Sequence, residues 1–290
     1  MIDRLPRAAL AAALALLLPC VPVPAAQDGA GDKKEDPAKP DAKPEEGKKA
    51  EPKKELPPAP SEEEAKEFLK TFEETLKKMT DEDAIAGVEK LRGWYAHPET
   101  SEDVRKDILA AYKKVCDLRT REALVEATAK SMAEFGEKAV DLLKFVTGRA
   151  IEQKVPSPGI VRAGLGSLGK IASPKPADVK FLTELLKKDD EFIGDAARAL
   201  AGYAKAPGAI RRDIFEEMLK MSEGVFSKSE ANDQPAKRRW NIWGTEVVEA
   251  MQKVTHTSWT KPPEFRKWFN DKGEGGGKNP RTWADAEPAK

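Results

Sequence analysis

The side chains best suited to chemistry lie near the C-terminus, where five of the six tryptophans follow residue 239. Trp240 and Trp243 are one helical turn apart and directly follow Lys237, Arg238 and Arg239. Basic groups beside aromatic rings can bind anionic chains or peptide carboxylates. The same residues can instead pack beneath a neighbouring helix and leave their basic heads in water. The pattern allows either interpretation, and we favour packing.

A second aromatic cluster lies in residues 253–273, which have the sequence KVTHTSWTKPPEFRKWFNDKG. Phe265, Trp268 and Phe269 are spaced i, i+3 and i+4, so they share one face of a short helix that begins at a pair of prolines. With Trp259 nearby, this face predicts either a cap over the end of a helical body or a platform for sugar rings and peptide side chains. We favour the cap.

No arrangement of residues predicts catalysis. His97 and His256 are the two histidines, and neither accompanies a serine or cysteine in a recognisable nucleophile motif. The motifs of metalloproteases, Walker loops and nucleophile elbows do not occur. Gly164, Gly166 and Gly169 formally match the dinucleotide-binding pattern G-x-G-x-x-G, but they lie in a stretch of helical periodicity with no preceding strand, which indicates helix packing. Two cysteines, Cys20 and Cys116, and two histidines are too few and too scattered for a Cys/His zinc site. We therefore expect no catalytic residue, metal or cofactor, with a hydrolase that uses His256 as a remote alternative.

Charge and the N-terminal residues indicate an exported protein without a nucleic-acid partner. The chain has 50 basic and 50 acidic residues, so no net field attracts it to nucleic acid.

Residues 1–26 resemble a secretory signal peptide, with Arg4 and Arg7 before an apolar run at 8–18 that is too short to span a bilayer. We expect export to the periplasm, the cell envelope or the medium. Membrane association would require lipid on Cys20.

The chain between the signal and the folded body is expected to be disordered. Residues 27–60 are rich in Pro, Lys and Glu, and Leu56 is their single large apolar side chain. Such a segment cannot bury enough surface to offset its chain entropy. The glycine-rich residues 272–290 are likewise predicted to be a flexible tail, in which Trp283 is the one residue that could dock back on the body.

The folded body is predicted to begin with a helix at Ser61, which forms a capping box with Glu64. Further helical segments are predicted at about 81–95, 101–116, 120–135, 137–152, 158–172, 176–188, 191–205, 208–221, 236–255 and 263–270.

The folded body, residues 61–255, is predicted to be all-α. Apolar residues recur at helical spacing in successive segments, Pro or Gly separates most of them, and no long β-alternation occurs. Two segments match at a shift of 32 residues, which aligns Val161 with Ile193 and Leu168 with Leu200. A period in the 30s with two helices per unit is typical of an α-solenoid of stacked antiparallel helix pairs. A tetratricopeptide array has a similar period and is the alternative, although its Trp-Leu-Gly-Tyr pattern does not occur in this sequence.

These two segments resemble the second helix of a HEAT repeat. Val161-Arg162 followed by Leu168-Gly169 carries the resemblance best, and Ile193 with Leu200 repeats it. The resemblance implies a right-handed solenoid in which Arg162, and by a weaker match Arg105, hydrogen-bonds acidic groups in neighbouring turns. The aromatic stretch 256–271 is similar to the closing segment of exported bacterial HEAT-type proteins.

The repeat fold does not by itself specify a function. The 32-residue similarity and the missing catalytic motifs favour a non-catalytic scaffold that binds a protein partner along the concave inner surface of its helices. The alternative is a binder of envelope polysaccharide or peptide at the C-terminal region. For that alternative the candidate residues are Trp240, Trp243, Trp259, Trp268, Arg238 and Arg239.

Overall fold

A computed structural model describes residues 59–118, 120–153 and 156–284. Within these residues the protein contains helices and no strand, which confirms the all-α prediction. The predicted signal segment, with Cys20, and the predicted linker up to residue 58 lie outside the described residues. No helix among the described residues is both long enough and apolar enough to cross a membrane.

The described residues form the α-helices α1 (Glu62–Thr75), α2 (Asp81–Ala96), α3 (Glu102–Cys116), α4 (Glu122–Ser131), α5 (Val140–Glu152), α6 (Pro158–Ile171), α7 (Pro176–Leu185), α8 (Asp190–Ala201), α9 (Gly208–Glu230), α10 (Gln234–Thr255) and α11 (Pro262–Asn270). Short 3₁₀ segments cover Met132–Ala139, Gly202–Lys205 and Pro280–Trp283. Side chains cap several helix starts: the hydroxyl of Ser61, for example, accepts a hydrogen bond from the Glu64 amide at 3.1 Å.

The chain alternates between two layers of helices. In one, called the even layer, each of α2, α4, α6, α8 and α10 packs against the next member of the series. In the other, α1 packs on α3, α7 on α9 and α9 on α11. Each even helix therefore packs on the even helices before and after it, and it also packs on a sequence neighbour in the opposite layer, most extensively α10 on α9 and α6 on α5.

Small residues bring α6 and α8 into close contact. A Cβ atom built on Gly169 would lie 2.7 Å from the Cα of Ala199, a distance that real Cβ atoms do not show. The repeat residues Val161, Leu168, Ile193 and Leu200 all lie in the core. The glycine therefore permits a backbone separation that any larger side chain would prevent.

Arginines occupy the ends of helices, where backbone carbonyls have no partner within the helix. The guanidinium of Arg105 donates to the carbonyls of Tyr95 and His97 at 3.2 and 2.8 Å. Arg121 donates in the same way to the carbonyl of Leu76 at 2.6 Å. Arg105 also pairs with the neighbouring carboxylate Glu102 at 3.1 Å, but its longer-range bonds go to the backbone.

Helix α9 is longer than the segment 208–221 that the sequence pattern predicts. It continues to Glu230, because Phe226 in the extension packs edge-on against the ring of Trp240, with centroids 5.1 Å apart. The apolar spacing on one helix gave no indication of this contact, which depends on the position of α10.

The predicted flexible tail, 272–290, needs correction over residues 272–284. Trp283 is buried, its ring centroid lies 5.9 Å from that of Phe215, and its Nε1 donates to the carbonyl of Gly277 at 2.8 Å. A Cβ on Gly277 would lie 2.6 Å from the Cα of Phe269. The glycines of this segment let the backbone lie against α11, and the buried tryptophan holds it there.

Candidate functional site

Trp243 and Arg239 connect α10 to the start of α8. Trp243 is fully buried, and its Nε1 donates to Oδ1 of Asp190 at 3.1 Å. The Nε of Arg239 donates to both oxygens of the same carboxylate, each at 2.9 Å. One carboxylate at the N-terminus of α8 therefore holds two of the residues that the sequence offered as ligand contacts.

Trp240 completes this packing. It is partly buried, and its ring meets that of Trp243 edge-on at 5.5 Å. Arg238 is exposed and forms no ion pair with another described residue. Trp240 and Trp243, called here the α10 tryptophan pair, are thus engaged inside the protein, and the two arginines do not form one basic patch.

Helix α11 covers the end of α9 with its aromatic face. Phe265 and Phe269 are buried, and their ring centroids lie 5.9 and 5.3 Å from that of Phe215. Trp268 meets Phe215 edge-on at 5.5 Å and donates its Nε1 to the carbonyl of Gly275 at 2.7 Å. Trp268 keeps part of its surface exposed, unlike the two phenylalanines.

An open cavity of about 440 Å³ lies beside α11. It is lined by two aromatic rings and three charged side chains, called here the tryptophan cleft: Trp259, Glu264, Lys267, Trp268 and Asp271. The volume falls in the range of about 300–1,000 Å³ that is typical of small-molecule sites. Trp259 is 42% exposed, an unusual state for so large an apolar surface.

Hydrogen bonds on both sides fix the loop that carries Trp259. Upstream, His256 ends α10 in the left-handed region with φ 55°, and Gln252 donates its side-chain amide to the Trp259 carbonyl at 2.9 Å. Downstream, Oε2 of Glu264 accepts from the amides of Thr260 and Lys261 at 2.9 and 3.0 Å. The exposed indole is therefore held on an anchored loop.

The same backbone bonds set the charge of Glu264. The hydrogen bonds from the Thr260 and Lys261 amides lower the pKa of this carboxyl below its ordinary value. Glu264 is thus ionised at neutral pH and serves two purposes, as the cap of α11 and as an acceptor at the cleft.

Several polar atoms of the tryptophan cleft have no partner among the described residues. Oδ1 of Asp271 accepts from the Gly273 amide at 2.9 Å, which leaves Oδ2 free. Within the described part of the chain, no hydrogen bond engages Trp259 Nε1 or Lys267 Nζ. The cleft therefore offers free donors and free acceptors beside two aromatic rings.

A second surface with functional potential crosses the even layer. Asp195 on α8 receives Arg162 from α6 at 3.5 Å and also binds Arg198 of its own helix. Arg198 reaches on to Glu246 of α10 at 2.9 Å. This row of ion pairs, from Arg162 to Glu246, joins α6, α8 and α10, three successive helices of the even layer, through arginines that are exposed to solvent.

The groups that could support an enzyme lie apart. Nδ1 of His97 accepts from the Glu99 amide at 3.2 Å in a loop, and His256 is an exposed helix-ending residue. Burial raises the pKa of the Cys116 thiol to about 12, so it stays protonated and unreactive at neutral pH. No group of three or more His, Cys, Asp or Glu among the described residues could hold a metal ion.

Comparisons with protein-family models, with curated proteins and with solved structures give no match to this chain.

Two residues of these sites were not predicted from the sequence: Asp190 as the partner of Trp243, and Glu264 as a residue of the tryptophan cleft. Asp190 looked like an ordinary acidic residue at a helix start. Glu264 follows two prolines at the third position of α11, where acidic residues are favoured. The N-cap residue Lys261 lacks the side-chain oxygen of a capping box, so the sequence contained no specific signal for the contact of Glu264 with the loop.

Proposed function

We propose that this protein is a non-catalytic protein-interaction scaffold, exported to the cell envelope or secreted, with a body that is a HEAT-like α-solenoid. The observation that carries the proposal is the unbroken series α2, α4, α6, α8, α10, in which each helix packs on the next. A series of this kind presents one continuous surface to a partner, as repeat proteins do.

Two further observations support the HEAT-like part of the proposal. The approach of Gly169 to Ala199 is the contact expected where second helices of successive repeats stack. The ion pair between Arg162 and Asp195 joins adjacent even helices, as the resemblance implies for that arginine. Export rests on the signal-like residues 1–26, as read from the sequence alone.

The even layer is the proposed contact surface. Gly166 lies on α6 one turn from both Arg162 and Lys170, is exposed, and has open space around it. Gly224 on α9 is also exposed, with no atom within 4 Å of an added Cβ, but it belongs to the other layer. The two glycines are therefore a matched pair for a labelling experiment.

The test places a photo-crosslinking amino acid at Gly166 or at Gly224 of the full chain and irradiates it in an envelope extract. The proposal predicts a defined crosslinked protein from position 166 that is absent from position 224. Identical products from the two positions, or no product from position 166, would contradict it.

A further inference from the structure

The tryptophan cleft lies outside the proposed contact surface, and its composition is unlike that of the even layer. The outer side of the even layer carries paired charges, from Arg162 to Glu246. The cleft instead carries two partly exposed indoles with charged groups that no ion pair within the described residues engages. A separate ligand of different chemistry is therefore expected there.

The geometry points to a binding site for a neutral pyranose ring between Trp259 and Trp268. A pyranose has an apolar face of C–H groups, which suits an indole ring, and a rim of hydroxyls that both donate and accept hydrogen bonds. The cleft matches both requirements. Apolar surface dominates its lining, and its polar groups include donors as well as acceptors.

The polar groups of the tryptophan cleft include both hydrogen-bond donors and hydrogen-bond acceptors for the sugar hydroxyls. Lys267 Nζ and Trp259 Nε1 are donors, and the free oxygens of Glu264 and Asp271 are acceptors. Two carboxylates against one ammonium give the cleft a net negative charge, which disfavours a uronate or a phosphate. A bare organic cation would use the carboxylates but would be repelled by Lys267 and would leave the two donors unpaired.

Preorganisation distinguishes this site from the other exposed apolar side chains. Ile242 is 55% exposed on α10, but it does not line the tryptophan cleft. Phe145 lies under the guanidinium of Arg149, with 5.1 Å from the guanidinium carbon to the ring centroid. Trp259 instead stands on a loop that is hydrogen-bonded at both sides, so little conformational freedom would be lost when a ring stacks on it.

The test follows the indole N–H signals of the full-length chain by ¹H–¹⁵N NMR during titration with methyl β-D-glucopyranoside and its β-linked trisaccharide. The inference predicts saturable shifts of the Trp259 and Trp268 signals in the millimolar range, with the Trp243 signal unmoved. Trp259→Ala should weaken binding by at least about tenfold, whereas Ile242→Ala, the exposed control on α10, should leave it unchanged.

Three results would overturn the inference. The first is that neither neutral sugar produces a saturable shift. The second is that the Trp259→Ala variant binds the sugars as tightly as the unmodified protein does. The third is that methyl β-D-glucuronide binds more tightly than the glucoside. A lysine-containing tripeptide that shifts both indole signals when the sugars do not would assign the cleft to peptides instead. None of these results bears on the crosslinking test of the even layer, because Trp259 and Trp268 lie outside that surface.

Discussion

The α10 tryptophan pair and the tryptophan cleft place the same type of side chain in opposite environments. Trp243 is fully buried, with its N–H bound to Asp190. Trp259 is 42% exposed, with its N–H unengaged by the described residues. Both stand near basic residues in the sequence, so the difference comes from the neighbouring helix. The carboxylate of Asp190 at the start of α8 accepts the Trp243 N–H, whereas no acceptor among the described residues engages the Trp259 N–H.

This contrast predicts that variants of the two regions affect different properties of the protein, stability in one region and ligand binding in the other. Substitutions at the α10 pair and at the buried C-terminal segment should lower the free energy of unfolding. Substitutions at the cleft should change ligand contacts and leave that free energy nearly unaltered.

The largest expected effect is that of Trp243→Ala. It removes a fully buried indole and leaves a cavity between α8 and α10, so the free energy of unfolding should fall by about 3–5 kcal/mol. Urea denaturation followed by circular dichroism measures the change. A loss below about 1 kcal/mol would show that α10 does not depend on this side chain.

Trp283→Ala should have the next largest effect. Trp283 is buried against Phe215 but at one end of the body, where the surroundings can relax, so a loss of about 2–3 kcal/mol is expected. Exchange of the Gly277 amide, which donates to the Trp268 carbonyl at 2.9 Å, should accelerate in the variant. Unchanged exchange would mean that residues 272–284 do not depend on Trp283.

Asp190→Ala should cost less, about 1–3 kcal/mol, because it leaves the buried Trp243 N–H unpaired and frees Arg239. Arg238→Ala is the matched control: its side chain is exposed beside Arg239, and the change should stay within about 0.5 kcal/mol. If the two variants unfold at the same urea concentration, Asp190 does not anchor α10.

The smallest effect on stability is expected from Trp259→Ala. The side chain contributes no ring contact to the core among the described residues, so the free energy of unfolding should change by about 0.5 kcal/mol or less. Comparison with Trp243→Ala under identical urea titrations makes the contrast quantitative. Similar losses from the two variants would erase the difference between the two regions.

Much of the fold could be predicted because it depends on local patterns. The spacing of apolar residues, and the Pro and Gly residues between the segments, predicted an all-α body with most helix ends near those observed. The capping role of Ser61 was visible in residues 61–64. The extension of α9 was not predicted, and within residues 272–284 only Trp283 was recognised as a side chain that could dock on the body. The extension and the docking both depend on contacts with distant residues, Trp240 and Phe215, that no local spacing encodes.

The candidate site could be predicted only in part. The aromatic positions Trp259 and Trp268 were visible in the sequence, and so was the face shared by Phe265 and Phe269. Which tryptophan is buried depends on tertiary partners: Asp190 lies 53 residues from Trp243 in the chain. The spacing of residues along α10 could not distinguish a packing surface from a binding surface.

Hydrogen exchange of the indole N–H groups tests the contrast between the two regions most directly, because it reports each tryptophan separately in the unmodified chain. The Trp243 N–H, buried and bound to Asp190, should exchange only as fast as α8 and α10 separate. The Trp259 N–H should exchange at the rate of a solvent-exposed indole. Protection of Trp259 equal to that of Trp243, or rapid exchange at Trp243, would contradict the assignment of one region to packing and the other to binding.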